Sequence, residues 1–173
     1  MHALPSAPAI IGPPCVIDIE ASGFGRNSYP IEVGYVRADG RAMCTLIQPE
    51  PEWTHWDGSA ERVHGITRET LLRHGRPAVQ VAQLLNEGLA GLTVYCDAWA
   101  HDYPWLARLF DAAQCSPAFK LESVARLVDH ADLPQLPDAQ RQAMLALGLT
   151  RHRASSDARA LQAALCGMLQ RRH

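Results

Sequence analysis

The sequence predicts one α/β domain built on a mixed β-sheet. Three strand-like runs open the chain, and two of them flank an Asp-Gly pair. Beyond them, apolar runs at helical spacing alternate with short apolar strands. The 173 residues can bury one core and are too few for two comfortable ones. The expected division is a loose arm over 1–14 and a single domain over 15–173.

The first strand is Cys15-Val16-Ile17-Asp18-Ile19-Glu20, dense in β-branched residues. Side chains alternate along a strand, so Ile17 and Ile19 face one core layer while Asp18 and Glu20 stand together on the other. Residues 31–37 and 42–47, joined through Asp39-Gly40, form a hairpin signal. Pro49 to Ser59, with two prolines and two tryptophans, predicts an ordered loop. Thr67 caps a short helix reaching His74. Pro77 suits the first turn of a longer helix that lines up Val81, Leu84, Leu85 and Leu89. Leu92–Cys96 is a further strand. Pro104 is expected to open a helix carrying Trp105, Leu106, Leu109 and Phe110. A short strand near Phe119–Leu121 precedes helical segments at about 122–131 and 137–147, the second stopped by Gly148. The last helix runs from about Ser155 to Arg171, with Leu161, Ala164, Leu165, Met168 and Leu169 on one face.

Composition narrows the class. Hydrophobic content of 47% and charged content of 20% are those of a soluble globule, and the net charge of −2 gives no broad basic surface for gripping duplex DNA. Lys120 is the only lysine beside fifteen arginines. Codon bias accounts for that, and so does a use of the bidentate guanidinium on phosphate. The five cysteines are widely spaced without a C-x-x-C, which argues for a reducing compartment and against a zinc knuckle. The first fourteen residues hold four prolines and no Lys or Arg, so neither a signal peptide nor a membrane span is expected there. A cytoplasmic protein without membrane attachment is the expectation, and a homodimer stays open.

Asp18 and Glu20 are the leading candidates for chemistry. Two carboxylates on one buried face repel each other, and both stay ionised only with positive charge between them. No Lys or Arg precedes Arg26, so that charge comes from elsewhere in the fold or from a metal ion. Asp102 precedes Pro104, where a helix N-cap is the plain role. Asp97, just past a strand, suits a turn or a local hydrogen bond. Asp157 falls in the first turn of the last helix, where a negative charge is favourable anyway. Ser155 is a plausible cap there. His152 lies on the preceding loop, where a solvent-facing ring is the ordinary outcome.

In order, these pieces resemble the DEDD superfamily of 3′–5′ exonucleases, which includes the proofreading subunit of bacterial DNA polymerase III, ribonuclease T and oligoribonuclease. The first motif, D-x-E, is Asp18-Ile19-Glu20. The second, D-x-x-[FW]-L, is Asp102-Tyr103-Pro104-Trp105-Leu106. The third is His152 five residues before Asp157, which selects the histidine branch (DEDDh). Val63-His64-Gly65-Ile66-Thr67 is similar to the family's H-G-I-T stretch. The resemblance runs from about Val16 to the last helix. The chain departs from it with Asp97-Ala98-Trp99 where many members have His-Asn-Ala, and with Ala21-Ser22 where Thr-Thr or Thr-Ser is usual.

The resemblance implies a ribonuclease-H-like fold, a mixed five-stranded sheet flanked by helices with the Asp18 strand central. It further implies that Asp18, Glu20, Asp102 and Asp157 hold two divalent ions, Mg²⁺ or Mn²⁺. Such hard cations take oxygen ligands, and a pair of them can clamp both attacking and leaving oxygens of a phosphodiester. His152 becomes the general base, since imidazole titrates near neutrality. The 3′ end of single-stranded DNA or RNA, or a short oligonucleotide, would enter beside the backbone of Ala21, Ser22 and Gly23, the ring of Phe24, and His64. Phe24 either stacks on a base or packs in the core. Two other readings remain: a nucleic-acid-binding or scaffold domain that has lost turnover, and a metal-dependent hydrolase of small nucleotides. The first is disfavoured by the presence of all four carboxylates and the histidine.

Overall fold

A computed structural model describes residues 12–171. Most of the arm expected over 1–14 therefore lies outside the described residues, although Pro14 is anchored, its carbonyl accepting a 2.8 Å bond from the Gln162 side chain. The strands are β1 (Cys15–Ala21), β2 (Pro30–Val36), β3 (Ala42–Leu46), β4 (Thr93–Cys96) and β5 (Lys120–Ser123), in spatial order β3-β2-β1-β4-β5. β1 is central, antiparallel to β2 and parallel to β4. The helices are α1 (Gly58–His64), α2 (Arg68–His74), α3 (Ala78–Leu89), α4 (Trp99–Ala112), α5 (Leu136–Ala146) and α6 (Ala154–Gln170).

Alternation along β1 divides the core. Ile17 and Ile19 join Val81 and Leu85 of α3 and Leu106 and Leu109 of α4 on one side of the sheet. Val16 joins Leu161 and Leu165 of α6 on the other. A parallel β1–β4 pair needs a crossover, and α1 to α3 supply it. This is a ribonuclease-H-like fold: a mixed five-stranded sheet flanked by helices. No helix among the described residues is long and apolar enough to cross a membrane.

The structure revises four local expectations. The loop expected to Ser59 ends in α1, whose N-cap Asp57 accepts the Ser59 N–H and whose Gly65 closes it at φ 69°. α4 begins at Trp99, so Pro104 lies inside the helix and Asp102 is no cap: its own N–H donates to the Ala98 carbonyl at 2.9 Å. The helix expected over 122–131 is instead the end of β5 and a 3-10 turn at Val124–Arg126. Finally, Ser155 does not cap α6; Arg153 occupies the cap position, and the work is done from β2, as described below.

Candidate active site

β1 ends in a register irregularity between Glu20 and Ala21, the kind of local bend that re-aims side chains beside a cleft. Beyond it lies a cavity of about 500 Å³ at the carboxyl ends of β1 and β4. Asp18, Glu20, Asp102, His152 and Asp157, drawn from three distant segments, all line it. Single donor atoms of Glu20, His152 and Asp157 lie within 4.8 Å of one another; Asp18 and Asp102 line the same cavity outside that tight trio. The expected loop position of His152 is thus correct, but its ring is gathered among carboxylates rather than solvent-facing. Its backbone sits at φ 60°, a strained conformation for a non-glycine residue.

The acids are crowded and short of water. Asp102 is only 2% exposed, and its Oδ2 has no hydrogen-bond partner among the described residues. Burial, then the nearby Asp97 charge, pushes its pKa up to about 8. Burial and the charges of Asp157 and Glu32 push Glu20 up to about 7, against the opposing pull of Arg153. Asp18 is raised by burial and then by Asp102, Glu20 and Asp157. Asp157 is raised by burial as well, though the Arg153 N–H and the His152 charge oppose this. Such a set of oxygen donors around an orphaned buried oxygen fits a hard divalent cation, and the paucity of soft ligands fits zinc less well.

Two β2 residues bring Asp157 and His152 to this place. Glu20 pairs with Glu32 and Asp18 with Gly34 across the β1–β2 ladder, so all four share the face under α6. A Cβ on Gly34 would stand 2.7 Å from the Ala154 carbonyl carbon and the Ser155 nitrogen, so only glycine lets α6 start this close to the sheet. Glu32, 1% exposed, accepts the Ala154 N–H at 2.8 Å and takes the Arg153 Nη2 at 2.6 Å and Nε at 3.1 Å. It thereby satisfies an orphan donor at the N-terminus of α6 and holds the residue that follows His152. Asp157 completes the turn by accepting the Arg153 N–H at 3.1 Å. Glu32 escaped the sequence reading. Its signal was a lone carboxylate inside the apolar run Ile31–Val36, but its partner lies 121 residues away.

Of the expected substrate-side residues, Ala21, Gly23, Phe24 and His64 line the cavity and Ser22 does not. Ser22 is fully buried; its hydroxyl accepts the Tyr29 N–H and meets His55 Nδ1, while its backbone N–H and carbonyl bond Tyr29 and Asp57. Every polar group of Ser22 is spent on holding the loop. Phe24 is 68% exposed, which excludes core packing, and its ring meets the His101 edge at 5.4 Å. His101 in turn stacks on Trp105. Trp105 donates from Nε1 to Ser28 Oγ at 2.8 Å, fixing the loop after β1 to α4. His64 is buried and its Nδ1 accepts the Ile66 N–H at 3.0 Å. The proton of the neutral ring therefore sits on Nε2, which has no partner among the described residues. Burial lowers the His64 pKa, keeping it neutral. Asp97, set aside as a turn residue, also lines the cavity and accepts the Gln140 side chain at 2.9 Å.

No protein-family model and no curated protein matches the sequence. Solved structures do match. Exonuclease I of Methylocaldum szegediense superposes with a TM-score of 0.68 at 16% identity, over 94% of this chain and 41% of its own. E. coli exonuclease I, in complex with a dA16 oligonucleotide, gives a TM-score of 0.72 at 14% identity, over 94% and 42%. A zinc-bound form of the E. coli enzyme with single-stranded DNA gives 0.72 at 14%, over 94% and 41%. The shared feature is the fold, and the chain spans about two fifths of the length of these proteins.

Proposed function

We propose that the chain is a 3′–5′ exonuclease of the histidine-bearing DEDD type, hydrolysing single-stranded nucleic acid from its 3′ end with two divalent ions, Mg²⁺ or Mn²⁺. One observation carries this: Asp18, Glu20, Asp102, Asp157 and His152 converge on one cavity that the exposed ring of Phe24 and the buried His64 also line. The exonuclease I structures, one of them holding a dA16 strand, support the same reading. The resemblance to the polymerase III proofreading subunit, ribonuclease T and oligoribonuclease belongs to this proposal too.

The four carboxylates would hold the ions, which when bound supply positive charge against the phosphoryl oxygens and a more acidic water. The remaining work falls to the protein's own groups. His152, a ring nitrogen of which lies within 4.8 Å of carboxylate oxygens of Glu20 and Asp157, would take the proton of an attacking water. His64 Nε2–H is a neutral donor for a phosphate or sugar oxygen, and its bond from Ile66 fixes that tautomer. Phe24 offers a face on which any terminal base can stack, which suits a site without base preference.

Degradation of end-labelled single-stranded DNA, RNA and dinucleotides, with and without Mg²⁺ or Mn²⁺, tests the proposal and ranks the substrates. Asp18→Asn and His152→Ala are each expected to abolish most turnover while folding normally. A wild-type protein that cleaves none of the polymers but hydrolyses free nucleotides would transfer the assignment to the small-phosphoester reading.

A further inference from the structure

A second groove, of about 470 Å³, opens beside the acid cavity and shares Val63, His64 and Arg151 with it. Its electrostatics are opposite. Arg62, Arg151 and Arg153 line it together with Thr150 and Ser156, and no Asp or Glu is among the described lining residues. Arg62 and Arg151 are exposed and form no ion pair among the described residues. Arg153 differs, because Glu32, 1% exposed, grips its Nε and Nη2 and leaves Nη1 without a hydrogen-bond partner among the described residues. A guanidinium oriented from behind by a buried acid is already ordered before a ligand arrives, so it loses little freedom on binding.

We infer that this groove binds the phosphodiester backbone of the strand upstream of the terminal nucleotide, with Arg62, Arg151 and Arg153 as its phosphate contacts. The inference rests on the exonuclease reading above. The acid cavity repels phosphate unless cations fill it, so the protein needs an attractive surface nearby to retain a polyanion. The groove joins the cavity, and the shared wall at His64 makes the two continuous. Arginine side chains reading phosphates contribute affinity without sequence preference, as does stacking on Phe24.

The test is the dependence of binding on strand length and salt. Labelled single-stranded DNA of two, four, six and ten nucleotides, made with phosphorothioate terminal linkages so that it persists, is titrated by anisotropy in Mg²⁺. Wild type is compared with Arg62→Ala/Arg151→Ala and with Arg73→Ala/Arg126→Ala, which removes the same charge from exposed positions lining neither cavity. Wild-type affinity is expected to climb with length. The groove variant should flatten that climb and lower the salt slope by about 1.4, that is about 0.7 for each lost contact to a single strand, whereas the control keeps both. A groove variant indistinguishable from the control, in a wild-type background that binds and cleaves, overturns the groove and leaves the exonuclease reading standing. Weakened binding of inorganic phosphate with no length dependence overturns it too, leaving a site for free anions. A wild type that neither binds nor cleaves any strand sinks both.

Discussion

Raising the pH of the metal-free protein from about 5 to about 8 should destabilise it, the reverse of what salt-bridged carboxylates do. Glu20 has a native pKa of about 7 against an ordinary 4.5. Below 4.5 both folded and unfolded states hold its proton, and the residue costs nothing. Between 4.5 and 7 the unfolded chain releases the proton and the native state does not, so stability falls with each step of pH; above 7 the loss is complete. At about 1.36 kcal/mol for each unit of difference, Glu20 alone accounts for about 3 kcal/mol. A domain of this size loses about 2–4 °C of Tm per kcal/mol, so the fall is about 10 °C. Asp102, at about 8, acts in the same direction over an overlapping range, and because the acids repel one another the two effects do not add. Thermal melts in chelator across this range, on wild type and Glu20→Gln, measure the effect; the variant should lie flatter. Mg²⁺ should stabilise more as pH rises, because ligands must lose protons to bind it. A metal-free Tm that holds level or climbs between these pH values would refute the crowded-acid account, as would a Glu20→Gln slope equal to that of wild type.

Four further outcomes follow from the fold. Gly34→Ala forces the start of α6 away from the sheet, at an overpacking cost of about 1–3 kcal/mol; because ~1 Å of misplacement can cost about a hundredfold in rate, activity should fall far more than Tm. Gly167→Ala, in open space on the same helix, should instead raise stability by up to about 1 kcal/mol in a urea melt without touching turnover. Glu32→Gln removes the buried charge that grips Arg153, whose guanidinium is half exposed, and should cost about 1.5–3 kcal/mol by the same measurement, the range for a hydrogen bond to a charged group. Phe24→Ala removes an exposed ring, so its Tm should barely move while affinity for single strands drops by about 1–3 kcal/mol, the worth of one base–aromatic stack.

What the sequence made legible was local. Alternation placed Asp18 and Glu20 on one face of β1, and Thr67 announced the start of α2 at Arg68. α1 was also readable, since Asp57 and Gly65 bracket it, but the prolines and tryptophans before it suggested a loop. Asp102 was misplaced because Pro104 looked like a helix start. A proline in the second turn forfeits one backbone bond, and the burial of Trp105, Leu106, Leu109 and Phe110 outweighs it. Phe24, left open between stacking and core packing, turns its ring outward, and the Ser22 hydroxyl is fully buried. Nothing in the local pattern fixes such choices, which depend on where His55, Tyr29 and α4 arrive from elsewhere. Glu32 shows the limit most plainly, because its meaning lies wholly in a helix start that follows it by more than a hundred residues.

The seat on β2 also sets an order in time. β1 and β2 can pair as soon as the first few dozen residues are available, since their ladder is local. His152 and Asp157 reach the site only when α6 settles over Gly34 and Glu32, a closure spanning most of the chain and therefore among the slower events of folding. A partly folded chain already carries Asp18, Glu20 and Arg62 of α1, yet it lacks His152, Asp157 and the two arginines that flank His152. Docking of α6 is thus the step that completes the cluster of Glu20, His152 and Asp157.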